Sequence, residues 1–224
     1  MLLALGLLAS LAHGQGRHKK FFEVAAIGKY QPGAYTLADG SRHAGTLRLW
    51  QDETRTVVQV NQGKAADPLN LELAGLRGVH IGPDSFVVAR QVALAGTPAA
   101  RPLGDISLLK VVLRGKTQVF EHDQVVASKG RMEAGGMMYG GGGPVHVHTW
   151  VARPSAQAEL VAIPEGRTEF AQHVAGLFVD YPALCQRIRA GLEGPDDFKR
   201  IIYAYAFRQN ISEVSFERAA AIFP

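Results

Sequence analysis

The sequence predicts an α+β fold, in which a mainly antiparallel β-sheet, arranged as an open barrel or a sandwich, is followed by three to four short C-terminal α-helices. Two observations predict it. From about residue 33 to 164, short runs of β-branched and aromatic residues are separated by Gly, Asp and Pro, as is typical of many short strands. After Pro164 the apolar residues recur at spacings of three and four, which indicates amphipathic helices.

The chain begins with an apolar segment, residues 2–12, that has the length of the hydrophobic core of a signal peptide. It is about half as long as a helix that spans a membrane. Ala12 and Gly14 provide the small residues that a signal peptidase needs for cleavage before Gln15. We therefore expect a signal peptide over 1–14, an antiparallel β domain over 15–164, and a helical segment over 165–224 that packs on the sheet.

The predicted first residue of the mature chain, Gln15, is not the Cys that a lipid anchor requires. No second apolar run approaches spanning length, so no transmembrane segment is expected in the mature chain. The lone Cys185 has no partner for an internal disulfide and lies in a helical stretch, where a buried structural thiol is expected. Together these features predict an exported protein, periplasmic or secreted, that is soluble and not lipid-anchored.

The formal net charge is +4, and the basic residues are scattered apart from Arg17, Lys19 and Lys20. A nucleic-acid interface requires a basic stripe with aromatic residues among it, and no such stripe is present in the sequence. No nucleic-acid partner is therefore expected, and a role as an envelope component remains open.

The strand predictions rest on apolar residues that alternate with polar ones, the period of two that marks half-buried antiparallel strands. Leu47 and Leu49 are expected to share one face of a strand, and Leu109, Val111 and Leu113 one face of another. The predicted strands are residues 34–37, 46–50, 55–61, 71–73, 78–81, 85–94, 108–114, 117–121, 146–151 and 160–163.

Glycines mark the predicted reversals between these strands. Gly40 and Gly115 stand where a tight turn needs a positive φ, and Gly82-Pro83 separates two strands that we expect to pair as a hairpin. Residues 127–144 form a glycine-rich stretch without the Gly-Lys-Ser/Thr of a phosphate loop. We expect this stretch to be a mobile hairpin connection rather than a lid over a ligand.

The C-terminal region has three apolar faces at helical spacing and a last short helix over about 215–222. Asp180 is expected to cap the second helix, and Gly191 is expected to end it. The apolar faces comprise Phe170, Val174, Leu177 and Phe178; then Leu184, Ile188 and Leu192; then Phe198, Ile201, Ile202 and Tyr205.

His146-Val147-His148 is the strongest candidate for a chemical site. Residues i and i+2 of a strand project from the same face, so both imidazoles can bind one metal ion. The pattern resembles that of the cupins, but Ala152 and Arg153 stand where a cupin has its glutamate ligand. The sequence does not identify a metal or another cofactor, and a solvent-facing pair of strand histidines is the alternative reading.

Other catalytic patterns are weak. The chain has no Gly-x-Ser-x-Gly elbow for a nucleophilic serine. Asp84-Ser85 and Glu121-His122-Asp123 lie beside predicted turns, where Asp and Ser are expected for turn formation alone. Inward-facing Leu and Val side chains of a small barrel can line a cavity for an apolar ligand or fill a closed core, and both alternatives stay open.

Several turn, strand and helix motifs occur in a characteristic order along most of the predicted mature chain. They are Asp39-Gly40 with Gly45-Thr46-Leu47; residues 73–86 with Val79, Ile81 and Phe86; residues 109–112 before Gly115 and Phe120; and Phe178, Asp180, Pro182, Leu184, Ile188 and Gly191 before the helix over 198–205. In this order they resemble exported β-rich proteins of Bacteroidota-type bacteria, for which no activity is established. The resemblance implies an envelope location and transfers no functional residue.

The sequence therefore predicts an exported envelope protein with a non-catalytic binding or structural role. One alternative is a metal-binding protein or small metal-dependent enzyme that uses His146 and His148. A second alternative is a carrier of a small apolar ligand.

Overall fold

The computed structural model describes residues 27–51, 55–63, 66–90, 105–127, 131–132, 138–139 and 144–223. Within these residues the chain forms one ten-stranded antiparallel sheet, which is open rather than closed into a barrel, and four C-terminal α-helices. This architecture confirms the predicted α+β class. The predicted signal peptide over 1–14 and its cleavage site before Gln15 lie outside the described residues.

Each of the ten predicted strands has a counterpart in the sheet, whose strand order is β12-β11-β8-β7-β6-β5-β1-β2-β3-β4. The pair β9 and β10 forms a separate two-stranded sheet. The strands are β1 (Ile27–Leu37), β2 (Arg42–Gln51), β3 (Thr56–Val60), β4 (Leu69–Glu72), β5 (Leu76–Ile81), β6 (Asp84–Arg90), β7 (Ile106–Leu113), β8 (Gln118–Ala127), β9 (Arg131–Met132), β10 (Met138–Tyr139), β11 (Pro144–Arg153) and β12 (Val161–Ala162).

The predicted glycine turns are confirmed by their backbone conformations. The φ angles are +94° at Gly40, +57° at Gly82 and +152° at Gly115, in the region that favours glycine. The glycine-rich connection joins β8 to β11, which pair antiparallel from Ala127 and Pro144 onward. It is thus a hairpin connection, as predicted, and its described part contains the β9–β10 pair.

One predicted face is wrong at Leu113. The register of β7 against β8 shifts by one residue, so that Val111 pairs with Phe120 while Leu113 pairs with Val119. The extra residue of this bulge moves Leu113 to the face opposite Val111. Leu113 packs against the cluster that contains Val119, whereas Val111 packs against the one that contains Phe120.

The sheet curls so that distant strands share one apolar cluster on its inner face. This inner cluster joins Leu47 of β2, Val79 of β5 and Leu108 of β7. Leu47 and Leu49 both belong to it, which confirms their predicted common face. The end of β2 reaches β8, where Gln51 Nε2 donates to the backbone oxygen of Asp123 at 3.4 Å, although four strands lie between β2 and β8.

The four helices follow the predicted apolar faces and form a second apolar cluster with the sheet, which we call the helix cluster. It contains Phe170 and Phe198 from the helices together with Val119 and Ala152 from the sheet. The helical segment therefore packs on β8 and β11. The helices are α1 (Arg167–Val174), α2 (Pro182–Arg189), α3 (Phe198–Phe207) and α4 (Phe216–Ile222), with 3₁₀ turns at Ala175–Phe178, Pro195–Asp197 and Ile211–Glu213.

Asp180 does not cap α2, contrary to the prediction. The residue that precedes α2 is Tyr181, and it makes no side-chain capping hydrogen bond. The Asp180 carboxylate is taken by more distant partners, since Oδ2 accepts from Arg208 Nη2 at 2.6 Å and from the Tyr205 hydroxyl at 3.1 Å. A charged donor from the end of α3 competes successfully with the local backbone amides.

Gly191 ends α2 as predicted, through a Schellman motif with φ at +68°. Its N–H donates to Ile188 O at 3.0 Å, and the Leu192 N–H donates to Arg187 O at 3.1 Å. The prediction that Leu192 shares the buried face of α2 is wrong, because this side chain is 59% exposed. The motif usually buries this residue against an apolar one on the last turn, and Arg187 occupies that place.

Cys185 of α2 is buried, as expected of a structural thiol, and its Sγ lies 2.7 Å from Ala175 O. Burial raises the pKa of this thiol.

Among the described residues, no helix is both long enough and apolar enough to cross a lipid bilayer.

Candidate functional site

A row of directly opposed residues crosses the inner face of the sheet from the inner cluster to the helix cluster. Val79, Phe86, Lys110, Glu121 and Trp150 are successive cross-strand partners on β5, β6, β7, β8 and β11. Directly opposed residues of neighbouring strands point to the same face. The row is apolar at both ends, but an ion pair stands in its middle, so charge separates the two clusters.

Five charged or titratable side chains occupy this position between the clusters, and we call them the polar seam. Alternation along β6, β8 and β11 places them on the same face as the row. Its members are Asp84, Lys110, Glu121, Asp123 and His148.

Lys110 is the centre of the first half of the seam. Its Nζ lies 3.3 Å from Asp84 Oδ1 and 3.6 Å from Glu121 Oε2. Only 7% of the Glu121 side chain is exposed, and this burial raises the pKa of its carboxyl, against the opposing effect of the Lys110 charge. Glu121 is therefore a carboxylate held where ionisation is costly.

The second half of the seam is a pair between His148 and Asp123, which lie directly opposite each other in β11 and β8. His148 Nδ1 lies 2.8 Å from Asp123 Oδ1, and about half of each side chain is exposed to solvent. The hydrogen bond raises the pKa of His148 and lowers that of Asp123. Because Nδ1 is engaged, Nε2 is the ring atom left for an incoming ligand.

Helix α3 borders the seam through Trp150. The His148 and Trp150 rings meet edge to face, with centroids 5.0 Å apart, and Trp150 in turn meets Phe198 of α3 at 5.3 Å. Lys199 Nζ lies 6.0 Å from the centre of the Trp150 ring. The turn that starts α3 is held by Asp197, whose Oδ2 accepts from the Gly194 N–H at 2.9 Å, and this turn places Phe198 and Lys199 beside the sheet.

Of the predicted metal pair, His148 belongs to the seam. His146 lies two residues earlier in β11, opposite Val125, and its side chain is outside the described part of the structure. Within that described part, no three His, Cys, Asp or Glu residues are grouped so as to hold a metal ion. A metal site at His146 and His148 stays a prediction.

Two other strand histidines, His80 and His122, lie outside the polar seam. His80 of β5 is exposed, and its Nδ1 is 2.9 Å from Ser85 Oγ. His122 lies opposite Thr149, on the sheet face that does not carry the seam. It is buried, and burial lowers its pKa.

Asp84-Ser85 lies beside the Gly82-Pro83 turn, as predicted, but the same prediction for Glu121-His122-Asp123 is wrong. Asp84 and Ser85 begin β6, and the other three residues lie inside β8, which continues to Ala127. Strand prediction ended β8 too early because two charged residues and a histidine interrupt its apolar run. A period of two links Val119, Glu121 and Asp123. This alternation could have predicted a continuous strand with both carboxylates on one face.

The interior expected to hold an apolar ligand corresponds to the inner cluster. Leu47, Val58 and Leu76 have no exposed surface, and all three belong to this cluster. Such packing is typical of a filled core. Carriage of an apolar ligand within the sheet stays a prediction.

Comparisons of this chain with models of known protein families, with curated proteins and with solved structures find no match. What the chain does must therefore be inferred from its own residues.

Proposed function

We propose that the protein is an exported envelope protein with a non-catalytic binding role, and that its ligand contacts the polar seam at His148. The observation that carries the proposal is the half-exposed pair between His148 Nδ1 and Asp123 Oδ1, 2.8 Å apart. It presents an oriented imidazole to solvent beside a buried carboxylate, Glu121.

The cost of the seam supports a functional role. Replacing buried ion pairs by apolar residues of similar size is often neutral or stabilising, so charge between two apolar clusters is poorly explained by stability. Lys110 and Glu121 interrupt a row that is apolar on both sides. Shifted pKa values at neighbouring groups are also more frequent at functional sites than elsewhere.

The paired charges of the seam suit a binding role. Lys110 is shared by Asp84 and Glu121, and His148 is held by Asp123. Paired groups can orient a ligand by exchanging hydrogen bonds with it, which requires no proton transfer.

Export is supported by the apolar segment 2–12 and by the small residues before Gln15. The test is expression of the full chain in a Gram-negative host, followed by intact-mass measurement of the periplasmic fraction. We expect a chain that begins at Gln15. Retention of residues 1–14 on a protein confined to the cytoplasm would contradict export.

Binding at the seam can be followed by the fluorescence of Trp150, because its ring lies against His148. The chain has two tryptophans, so Trp50→Phe leaves Trp150 as the single reporter. We expect one of four probes (Zn²⁺, phosphate, acetate or glucose) to change the emission saturably. His148→Ala should abolish this change. His43→Ala, which alters a β2 histidine stacked on Tyr35 of β1, should leave it intact. Equal responses in both variants would exclude the seam as the binding site.

The second candidate function is binding of a transition-metal ion by His148 and His146. It is favoured by the hydrogen bond from His148 Nδ1 to a carboxylate, which is the usual second contact of a metal-binding imidazole. Elemental analysis of the purified protein should then show zinc, copper or iron that is lost in His146→Ala and in His148→Ala. A metal-free protein whose thermal stability is unchanged in both variants would refute this candidate.

A further inference from the structure

A concave site lies on the helical segment and shares no residue with the polar seam. It is a groove of about 590 Å³ between α2 and the 3₁₀ turn Ile211–Glu213. This volume is within the range of small-molecule sites in proteins. Its large aliphatic lining residues are Leu184, Leu192 and Ile211.

The apolar part of the groove has a buried floor and an exposed wall. Leu184 and Ile211 are each 2% exposed, whereas Leu192 is 59% exposed. Leu192 is held in place by the Schellman motif at Gly191, since its N–H donates to Arg187 O. The groove therefore presents a leucine at a fixed position with no apolar partner on its outer side.

Three side chains with N–H donors line the groove, namely Gln186, Arg187 and Asn210. Arg187 bonds Glu193 Oε1 through Nε at 2.8 Å and Nη2 at 2.6 Å, which orients the guanidinium and leaves Nη1 unused within the described structure. Asn210 accepts from the Ser212 N–H through Oδ1, which leaves its Nδ2 as a donor. No carboxylate is among the residues that line the groove, and Arg187 brings a positive charge that its ion pair with Glu193 offsets in part.

We propose that this groove binds a medium-chain fatty acid, with the alkyl chain on Leu184, Ile211 and Leu192 and the carboxylate on Arg187 and Asn210. The charge of Arg187 complements a carboxylate, and guanidinium is the best donor for that group. A peptide C-terminus carries the same carboxylate but adds amide groups that need partners. The Tyr181 hydroxyl is already donated to Gln209 O at 3.0 Å, which leaves Gln186 as the lining side chain that could meet such amides, so the groove suits an alkyl chain better.

The test is titration of the purified protein with octanoate below its micelle concentration, followed by two-dimensional NMR. Octanoate should shift the amide signals of α2 and of residues 210–212 saturably. Octan-1-ol, which has the same chain without the charge, should bind roughly tenfold more weakly, as expected for the loss of a charge-assisted contact. Equal binding of the two probes would overturn the assigned role of Arg187.

Leu192→Ser removes the exposed wall and should weaken octanoate binding roughly fivefold without affecting folding, because the side chain is mostly in solvent. Val179→Ser is the matched control, since Val179 is a similarly exposed apolar residue (56%) that does not line the groove. Unchanged affinity in Leu192→Ser, or an equal loss in both variants, would refute the site.

N-acetyl-leucine serves as the probe for a peptide C-terminus. Tighter binding of this probe than of octanoate would show that the groove recognises peptides and would overturn the fatty-acid proposal. His148→Ala should leave octanoate binding unchanged, so failure here is distinguishable from failure of the proposed function at the seam.

Discussion

His148 Nδ1 lies 2.8 Å from Asp123 Oδ1, between residues that are 25 positions apart in the chain and directly opposite in the β8–β11 register. The pair couples the protonation of an exposed imidazole to a carboxylate on the neighbouring strand. Its energetic consequences can be measured separately from any ligand.

Asp123→Asn should lower the pKa of His148. The hydrogen bond to Asp123 is the largest cause of the raised pKa, and the carboxylate charge adds to it. The pKa can be read from the imidazole proton shifts of His148 in an NMR titration. A raised or unchanged pKa for His148 in the variant would contradict the pairing.

The pair should stabilise the fold mainly between about pH 4 and pH 6.5. The pKa of His148 is raised, so its contribution is full below the unfolded value of 6.5 and is lost as the pH rises through the folded value. The pKa of Asp123 is lowered, so its contribution is present above 3.8 and is lost as the pH falls through the folded value.

Urea unfolding of the wild type and of His148→Gln at several pH values tests this window. The difference in free energy of unfolding should peak inside the window and reach at most about 1 kcal/mol, because both side chains are half exposed. A difference that grows steadily towards alkaline pH would be inconsistent with the pair.

Glu121→Gln should raise the free energy of unfolding at neutral pH. Burial raises the pKa of Glu121, so its ionisation disfavours the folded state as the pH rises above the ordinary value of 4.5. The gain should be about 1 kcal/mol or less and should shrink as the pH falls towards 4.5. Urea unfolding at neutral and acidic pH measures both quantities.

Lys110→Met is the opposite test of the same ion pair. It leaves Glu121 buried without its cation and should lower the free energy of unfolding by about 2 kcal/mol at neutral pH. Combining it with Glu121→Gln should recover most of that loss. If the double variant is as unstable as Lys110→Met alone, Lys110 stabilises the fold through contacts other than Glu121.

Gly33→Ala should destabilise the sheet by about 1–3 kcal/mol, or prevent folding. A Cβ at residue 33 of β1 would collide with the backbone oxygen of His80 in β5, so the two strands would have to move apart. Gly75→Ala is the control, because a Cβ there has no neighbour within 4 Å. Thermal unfolding compares the two variants, and equal stability would show that β1 and β5 are less closely packed than described.

Local patterns predicted the elements well where neighbouring residues determine them. Alternation found the common face of Leu47 and Leu49, and Gly191 marked the end of α2 because a left-handed residue is needed there. The failures occurred where distant residues decide. Asp180 is engaged by Arg208, 28 positions away, and no local signal competes with that contact.

The candidate site was only partly accessible from the sequence. His148 stood out because of its spacing from His146, but its partner Asp123 depends on the register of β11 against β8. Similarly, Lys110 and Glu121 meet because β7 pairs with β8. The bulge that turns Leu113 to the other face carries no glycine, so alternation could not anticipate it.

The contact between Gln51 and the backbone of Asp123 has a mechanical consequence. The hydrogen bond joins β2 and β8 across the concave face of the curled sheet, although four strands separate them. A motion that flattens the sheet would lengthen this hydrogen bond, and Asp123 is also the residue that orients His148. The contact therefore connects β2 to the residue that orients His148, although β2 does not contact the imidazole through it.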